Sequence, residues 1–116
     1  MENILSELER FEGVRGVAIV SNDGLIVHSL LPPDLDPDAV SGMCATVFRN
    51  GITTAKVLNS GKVRHILIET DTDFIIFSNI GNGFLAVIST RKINLGLLRI
   101  KIDKAVKEIK EKLIEE

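Results

Sequence analysis

What the chain lacks narrows it first. There is one cysteine, Cys44, so no disulfide can form within the chain, and a reducing cytoplasm is the expected setting. Trp and Tyr are absent, and the only aromatic residues are five phenylalanines. That removes the stacking platform on which single-stranded nucleic acid is held. The net charge is −2 over 116 residues. A nucleic-acid or membrane-surface binder needs a basic field that this balance does not supply, so neither partner is expected. No apolar run approaches the roughly 18 residues of a membrane span, and Met1 to Arg10 is too charged for a secretory signal. The two histidines, His28 and His65, each fall inside a predicted strand, where an ordinary strand polar residue is the plainest role. No cofactor, metal or catalytic group is expected.

What is present is a soluble α+β pattern. Hydrophobic residues make up 45% of the chain and charged residues 26%, enough for one domain with a real core. Ile4, Leu5, Leu8 and Phe11 recur at helical spacing before Gly13. Two apolar arms, Val17 to Ser21 and Leu25 to Leu30, flank an Asp23-Gly24 turn. The first arm is apolar on both faces and reads as a central strand; the second, with His28 and Ser29, reads as peripheral. Asp36 and Pro37 open a long helix that should reach about Leu58, with Asn59-Ser-Gly61 as its stop. Three strands follow, Lys62 to Glu69, Phe74 to Ser78 and Phe84 to Thr90. Asn94 then caps a last helix with Leu95, Leu98, Ile102, Ala105, Val106, Ile109 and Leu113 on one stripe. The order is α-β-β-α-β-β-β-α: one antiparallel sheet with helices, in a single domain.

Several short stretches imitate sites and fail on inspection. Asp34-Leu-Asp36-Pro-Asp38 begins like a calcium loop, but its sixth and twelfth positions are Ala39 and Ala45. Helix capping accounts for these acids. Ser60-Gly61-Lys62 hints at a phosphate loop, but Val63 stands where Ser or Thr is required. Asn82 sits between turn glycines, and Asp71 and Asp73 flank a tight turn and should face water. Cys44 reads as a small hydrophobe.

The central helix is the informative element. From Ala39 to Ala55 its only charge is Arg49. At about 100° per residue, Val40, Met43, Cys44, Val47, Phe48, Gly51, Ala55 and Leu58 share the face expected to cover the sheet. The other side carries Gly42, Thr46, Arg49, Asn50, Thr53, Lys56 and Val57. The last helix shows how a wet face is written in this chain, with Lys101, Lys104, Lys107, Glu108, Glu111 and Lys112. The contrast predicts that the central helix has a second packing surface, most simply against a second copy. Arg49 stands apart. An arginine supplied in trans can stabilise charge in phosphoryl transfer on a GTPase, although an interface or surface arginine is far commoner.

The chain resembles the Roadblock/dynein light-chain family over nearly its full length. The resemblance rests on Gly13-Val-Arg-Gly-Val-Ala-Ile-Val20 with Asp23-Gly24, on the low-charge central helix, and on Ser89 to Arg99. Asn94-Leu-Gly96-Leu-Leu-Arg99 is its most specific part. It implies a profilin-like sandwich, with a five-stranded antiparallel sheet between the central helix and the terminal helices. It also implies a homodimer that joins third strands and central helices. On that basis Arg64, Ile66 and Ile68 of the third strand are candidate interface residues. Gly42, Thr46, Arg49, Asn50, Thr53 and Val57 are candidates for either the dimer or a partner surface. Family members are adaptors rather than enzymes: some are dynein-associated light chains, and others bind or regulate Ras-like small GTPases. The expected function is therefore a GTPase-binding scaffold. A structural adaptor of a motor complex and a small-molecule sensor are the alternatives.

Overall fold

The computed structural model describes residues 1–115. Its elements follow the expected order: α1 (Glu2–Glu9), β1 (Val14–Ser21), β2 (Ile26–Leu30), α2 (Pro37–Val57), β3 (His65–Glu69), β4 (Asp73–Asn79), β5 (Gly83–Thr90) and α3 (Leu95–Glu115). The strands form one antiparallel sheet in the order β2-β1-β5-β4-β3. β1 is interior and β2 lies at an edge, as their side-chain patterns imply.

The ends of the elements have local causes. Asp36 accepts a hydrogen bond from the Asp38 N–H at 3.2 Å and caps α2, with Pro37 as the first helical residue. Asn59 takes the left-handed conformation, φ 51°, while the Ser60 N–H closes on the Ala55 carbonyl at 2.8 Å. Asn94 Oδ1 accepts from the Leu97 N–H at 3.0 Å and starts α3. In the β1–β2 turn Gly24 has φ 83°, which its missing side chain permits.

Alternation along the strands divides the core into two layers. Val17, Ile19, Ile76, Leu85 and Val87 face α1 and α3, where they meet Leu5, Leu8, Leu98, Ile102 and Ile109. Ala18, Val20, Phe77, Phe84 and Ala86 face α2, where they meet Ala45 and Phe48. Phe48 stacks on Phe84 at 4.7 Å between centroids, and Phe77 meets Phe84 edge-on at 5.5 Å. The sheet thus lies between α2 on one side and α1 with α3 on the other.

Three expectations need correction. β3 starts at His65 rather than Lys62, so Arg64 lies just outside the strand. β4 has run out at Asn79, whose N–H reaches the Arg64 carbonyl and whose side-chain amide bonds the Val63 carbonyl, both at 2.9 Å. No strand remains for Lys62 to pair with. Asp73 does not face water freely; it is ion-paired with Arg15 on β1. The seam of α2 is also rotated from the expected face. Ser41, Ala45 and Phe48 are its buried residues, while Met43 and Leu58 are 67% and 68% exposed. Phe77 and Phe84 already fill the sheet on this side, leaving room for small residues and one further ring. The Val40–Leu58 stripe consequently leans over β3 instead of pointing into the core.

Candidate interaction surface

β3 is an open edge. It pairs with β4 in a regular register, from His65 opposite Ser78 to Glu69 opposite Phe74. The hydrogen bonds at Arg64 and Thr70 show that the even-numbered residues turn their backbone groups to β4. By alternation, the N–H and C=O of His65, Leu67 and Glu69 point to the free side. The opposite edge is blunted: the β1–β2 register breaks between Ile19 and Val20, and β2 is flanked by α1 and α2. β3 keeps an unbroken register with β4. It is the edge suited to take another strand.

One contact fixes how α2 sits beside that edge. A Cβ built on Gly51 would lie 2.3 Å from Ile66 Cδ1, so the end of the Ile66 side chain rises from β3 to fill the space under this glycine. Ile66 and Ile68 are half-buried there, with Cys44 and Val47 packed in the same layer. The flank of α2 toward β3 is therefore Cys44, Val47, Gly51 and Ala55, with Met43, Thr54 and Leu58 exposed above them. Burial pushes the Cys44 thiol pKa up, in line with a small hydrophobe rather than a reactive thiolate.

The opposite flank faces the β1–β2 turn. Arg49 Nη1 donates to the Asn22 carbonyl at 3.2 Å, so this cation is tied to the hairpin. Gly42, Thr46, Arg49, Asn50, Thr53 and Val57 are all exposed, Val57 by 75%. The candidate residues from sequence thus fall into separate places. Ile66 and Ile68 lie beneath α2, Arg64 lies ahead of β3, and the six helix residues lie on the top and far flank of α2. Sequence reasoning missed Val47, Gly51 and Thr54 as the surface next to β3. The available signal was the uncharged stripe Met43, Val47, Gly51, Thr54 and Leu58.

Two threonine hydroxyls of this helix are already bonded inside it. Thr46 Oγ1 donates to the Gly42 carbonyl at 3.0 Å, and Thr54 Oγ1 to the Asn50 carbonyl at 2.7 Å. A polar group already satisfied inside its own helix loses little when covered.

A Ser–His–Asp grouping that no spacing in the sequence announces lies on the other face. His65 Nδ1 is 2.8 Å from Ser78 Oγ, and His65 Nε2 is 3.4 Å from Asp103 Oδ1. Ser78 is 1% exposed, so no substrate can reach its hydroxyl and the trio is not a nucleophilic site. It ties β3 to β4 and α3. Burial lowers the His65 pKa, an effect that Asp103 partly offsets. Among the described residues, no three His, Cys, Asp or Glu side chains gather to hold a metal ion, and no helix is long and apolar enough to cross a membrane.

The model of the Roadblock/LC7 domain matches residues 1–90. The chain belongs to the Roadblock/LC7 family. Over 110 residues it is 33% identical to the uncharacterized protein MJ1340 of Methanocaldococcus jannaschii, covering 95% of this chain and 96% of that one. Among solved structures, a Roadblock/LC7 domain from Streptomyces avermitilis superposes with a TM-score of 0.90 at 23% identity, covering 98% of both chains. Myxococcus xanthus MglB superposes with a TM-score of 0.93 at 20% identity, covering 98% of this chain and 94% of its own. At these identities the structural likeness establishes the fold. The Roadblock/LC7 sandwich is the one expected from sequence, with α2 alone on its face of the sheet and β3 at the edge beside it.

Proposed function

We propose that this Roadblock/LC7 chain is a non-catalytic homodimeric scaffold that binds a Ras-like small GTPase and influences its nucleotide state or location. The observation that carries its self-association is an uncharged, partly exposed helix stripe lying beside an open strand edge; membership of the Roadblock/LC7 family supports the partner. A two-fold pairing of β3 edges makes one continuous sheet and brings the two α2 stripes of Met43, Val47, Gly51, Thr54 and Leu58 together. A specific interface needs on the order of 800 Å² per partner, and a strand with a helix stripe of about four turns is of that scale. Gly42, Thr46, Arg49, Asn50, Thr53 and Val57 then remain on the outer surface of the paired helices. They form the platform for the GTPase, while Arg64, Ile66 and Ile68 support the seam.

Two measurements test the two halves separately. Light scattering at micromolar concentration should return the mass of a dimer; a monomer overturns the self-association. Affinity capture from the source cell, with and without a GTP analogue, should recover a small GTPase in a nucleotide-dependent way. Arg49→Glu or Thr53→Glu should weaken that capture while leaving the dimer intact. Failure to recover any GTPase in either nucleotide state overturns the partner and leaves a structural adaptor.

A further inference from the structure

The sheet face opposite α2 carries a second surface, which shares Arg64 with the proposed seam and lies away from the proposed GTPase platform. α3 crosses this face without covering β3, leaving a groove of about 590 Å³ between them. Its cationic walls are Lys62 and Arg64 before β3 and Lys107 and Lys110 on α3; among the described residues, Asp103 is its only acid. Among the described residues, none of these four cations takes part in an ion pair. At His65 the groove adjoins an apolar notch of about 140 Å³ formed by Leu67, Ile76, Leu95 and Ile102, with Arg99 beside it. Leu67 is 49% exposed. A chain of net charge −2 therefore holds a local concentration of positive charge next to an uncovered apolar contact.

We propose that this groove receives an extended acidic peptide segment of a partner protein, anchored by one apolar side chain in the notch. Charge complementarity selects the acidic part: four exposed cations around a concave wall attract a run of carboxylates by a summed, salt-dependent field. The linings also set a spacing. Leu67 neighbours Leu95 and Ile102, whereas Lys62 and Arg64 neighbour Lys107 and Lys110, so β3 and α3 run in opposite directions along the groove. Lys62 to Leu67 spans about 16 Å of extended chain, and Ile102 to Lys110 about 12 Å of helix. An apolar anchor followed by acids four or five residues away matches that distance in extended form.

A compact phosphate ligand fits less well. Such a ligand is held by converging buried donors, and among the described residues every buried side-chain polar atom already has a partner. A flat anionic membrane fits less well too. The cations line a concavity, and Glu108 and Glu111 interrupt the outer side of α3.

The test is fluorescence anisotropy of a labelled synthetic peptide carrying one leucine, four glycines and four glutamates, at low salt. Saturable binding is expected, weakening as salt rises and when the leucine is replaced by glycine. Lys107→Glu with Lys110→Glu should lower affinity at least about fivefold, since two attractions become repulsions. Lys101→Glu with Lys104→Glu makes the same charge change on the other flank of α3 and should leave binding within about twofold. These are exposed side chains, and circular dichroism checks that both variants stay folded. Equal loss in both variants, no binding by about 1 mM, or equal displacement by the same concentration of pyrophosphate overturns the proposal. Vesicles containing phosphatidylglycerol that capture the protein while the peptide does not would overturn it as well. The dimer and the GTPase capture are unaffected by any of these outcomes.

Discussion

α2 and α3 are both 21 residues long and cover opposite faces of one sheet, yet they are finished differently. α3 buries Leu98, Ile102, Ala105 and Ile109 at 4% exposure or less and, beyond an exposed Leu97 and Ile100 in its first two turns, clothes its outer side in lysine and glutamate. α2 buries only Ser41, Ala45 and Phe48 and leaves Met43, Val57 and Leu58 open. Its charges are Asp38, Arg49 and Lys56. A helix that packs on one side and faces water on the other should look like α3. α2 has the composition of a helix whose second contact lies outside the chain. The proposed scaffold rests on that difference.

The largest effect expected from testing it is at Phe48. This is the one large side chain that α2 fully commits to the sheet, stacked on Phe84. Phe48→Ala should cost about 3–5 kcal/mol by urea denaturation; a loss under about 1 kcal/mol would mean that α2 is not held by this seam. Next is Gly51, under which Ile66 rises from β3. Gly51→Val should cost about 1–3 kcal/mol as Ile66 is driven out of place. No loss of stability would show that Ile66 turns aside from the added side chain without cost.

A lysine introduced at Val47 or Thr54 tests the comparison directly. Either change should shift light scattering from dimer to monomer at micromolar concentration, because an uncompensated charge is buried at the seam. Lys104→Ala on the wet helix should leave the mass unchanged. Asp36→Ala removes the α2 cap and should lower stability by about 1 kcal/mol in thermal or urea melts.

The smallest effect belongs to His65, which links the open edge to α3. Its folded pKa lies below the ordinary value near 6.5, chiefly through burial. The unfolded chain therefore binds the proton more readily. The contribution of this group is complete above about pH 6.5 and is lost as pH falls through that value toward the folded pKa. The wild-type urea midpoint should drop slightly more than that of His65→Gln between pH 7.5 and 5.5. Equal drops would remove His65 from the pH response.

Much of the fold was legible because its signals are local. Asp36, Asn59 and Asn94 each act on backbone groups within five residues of themselves. The Asp23-Gly24 turn needs only its own φ angles, and the strand alternation states which residues share a face. The start of β3 was not legible. Lys62 and Val63 alternate like strand residues, and only the end of β4 at Asn79 withdraws their partner. The trio of His65, Ser78 and Asp103 was equally hidden, since its members come from β3, β4 and α3.

The sequence by itself determined the order of the elements, their caps and turns, and the scarcity of charge on α2. Tertiary structure decided which way that helix is turned. Helical periodicity fixes the angles between side chains but not the zero from which they are measured. Phe77 and Phe84 set that zero by filling the sheet, admitting Ser41, Ala45 and Phe48 and tipping Val47 and Gly51 toward β3. The same rotation tied Arg49 to the hairpin and separated the surface beside the open edge from the surface on the far flank.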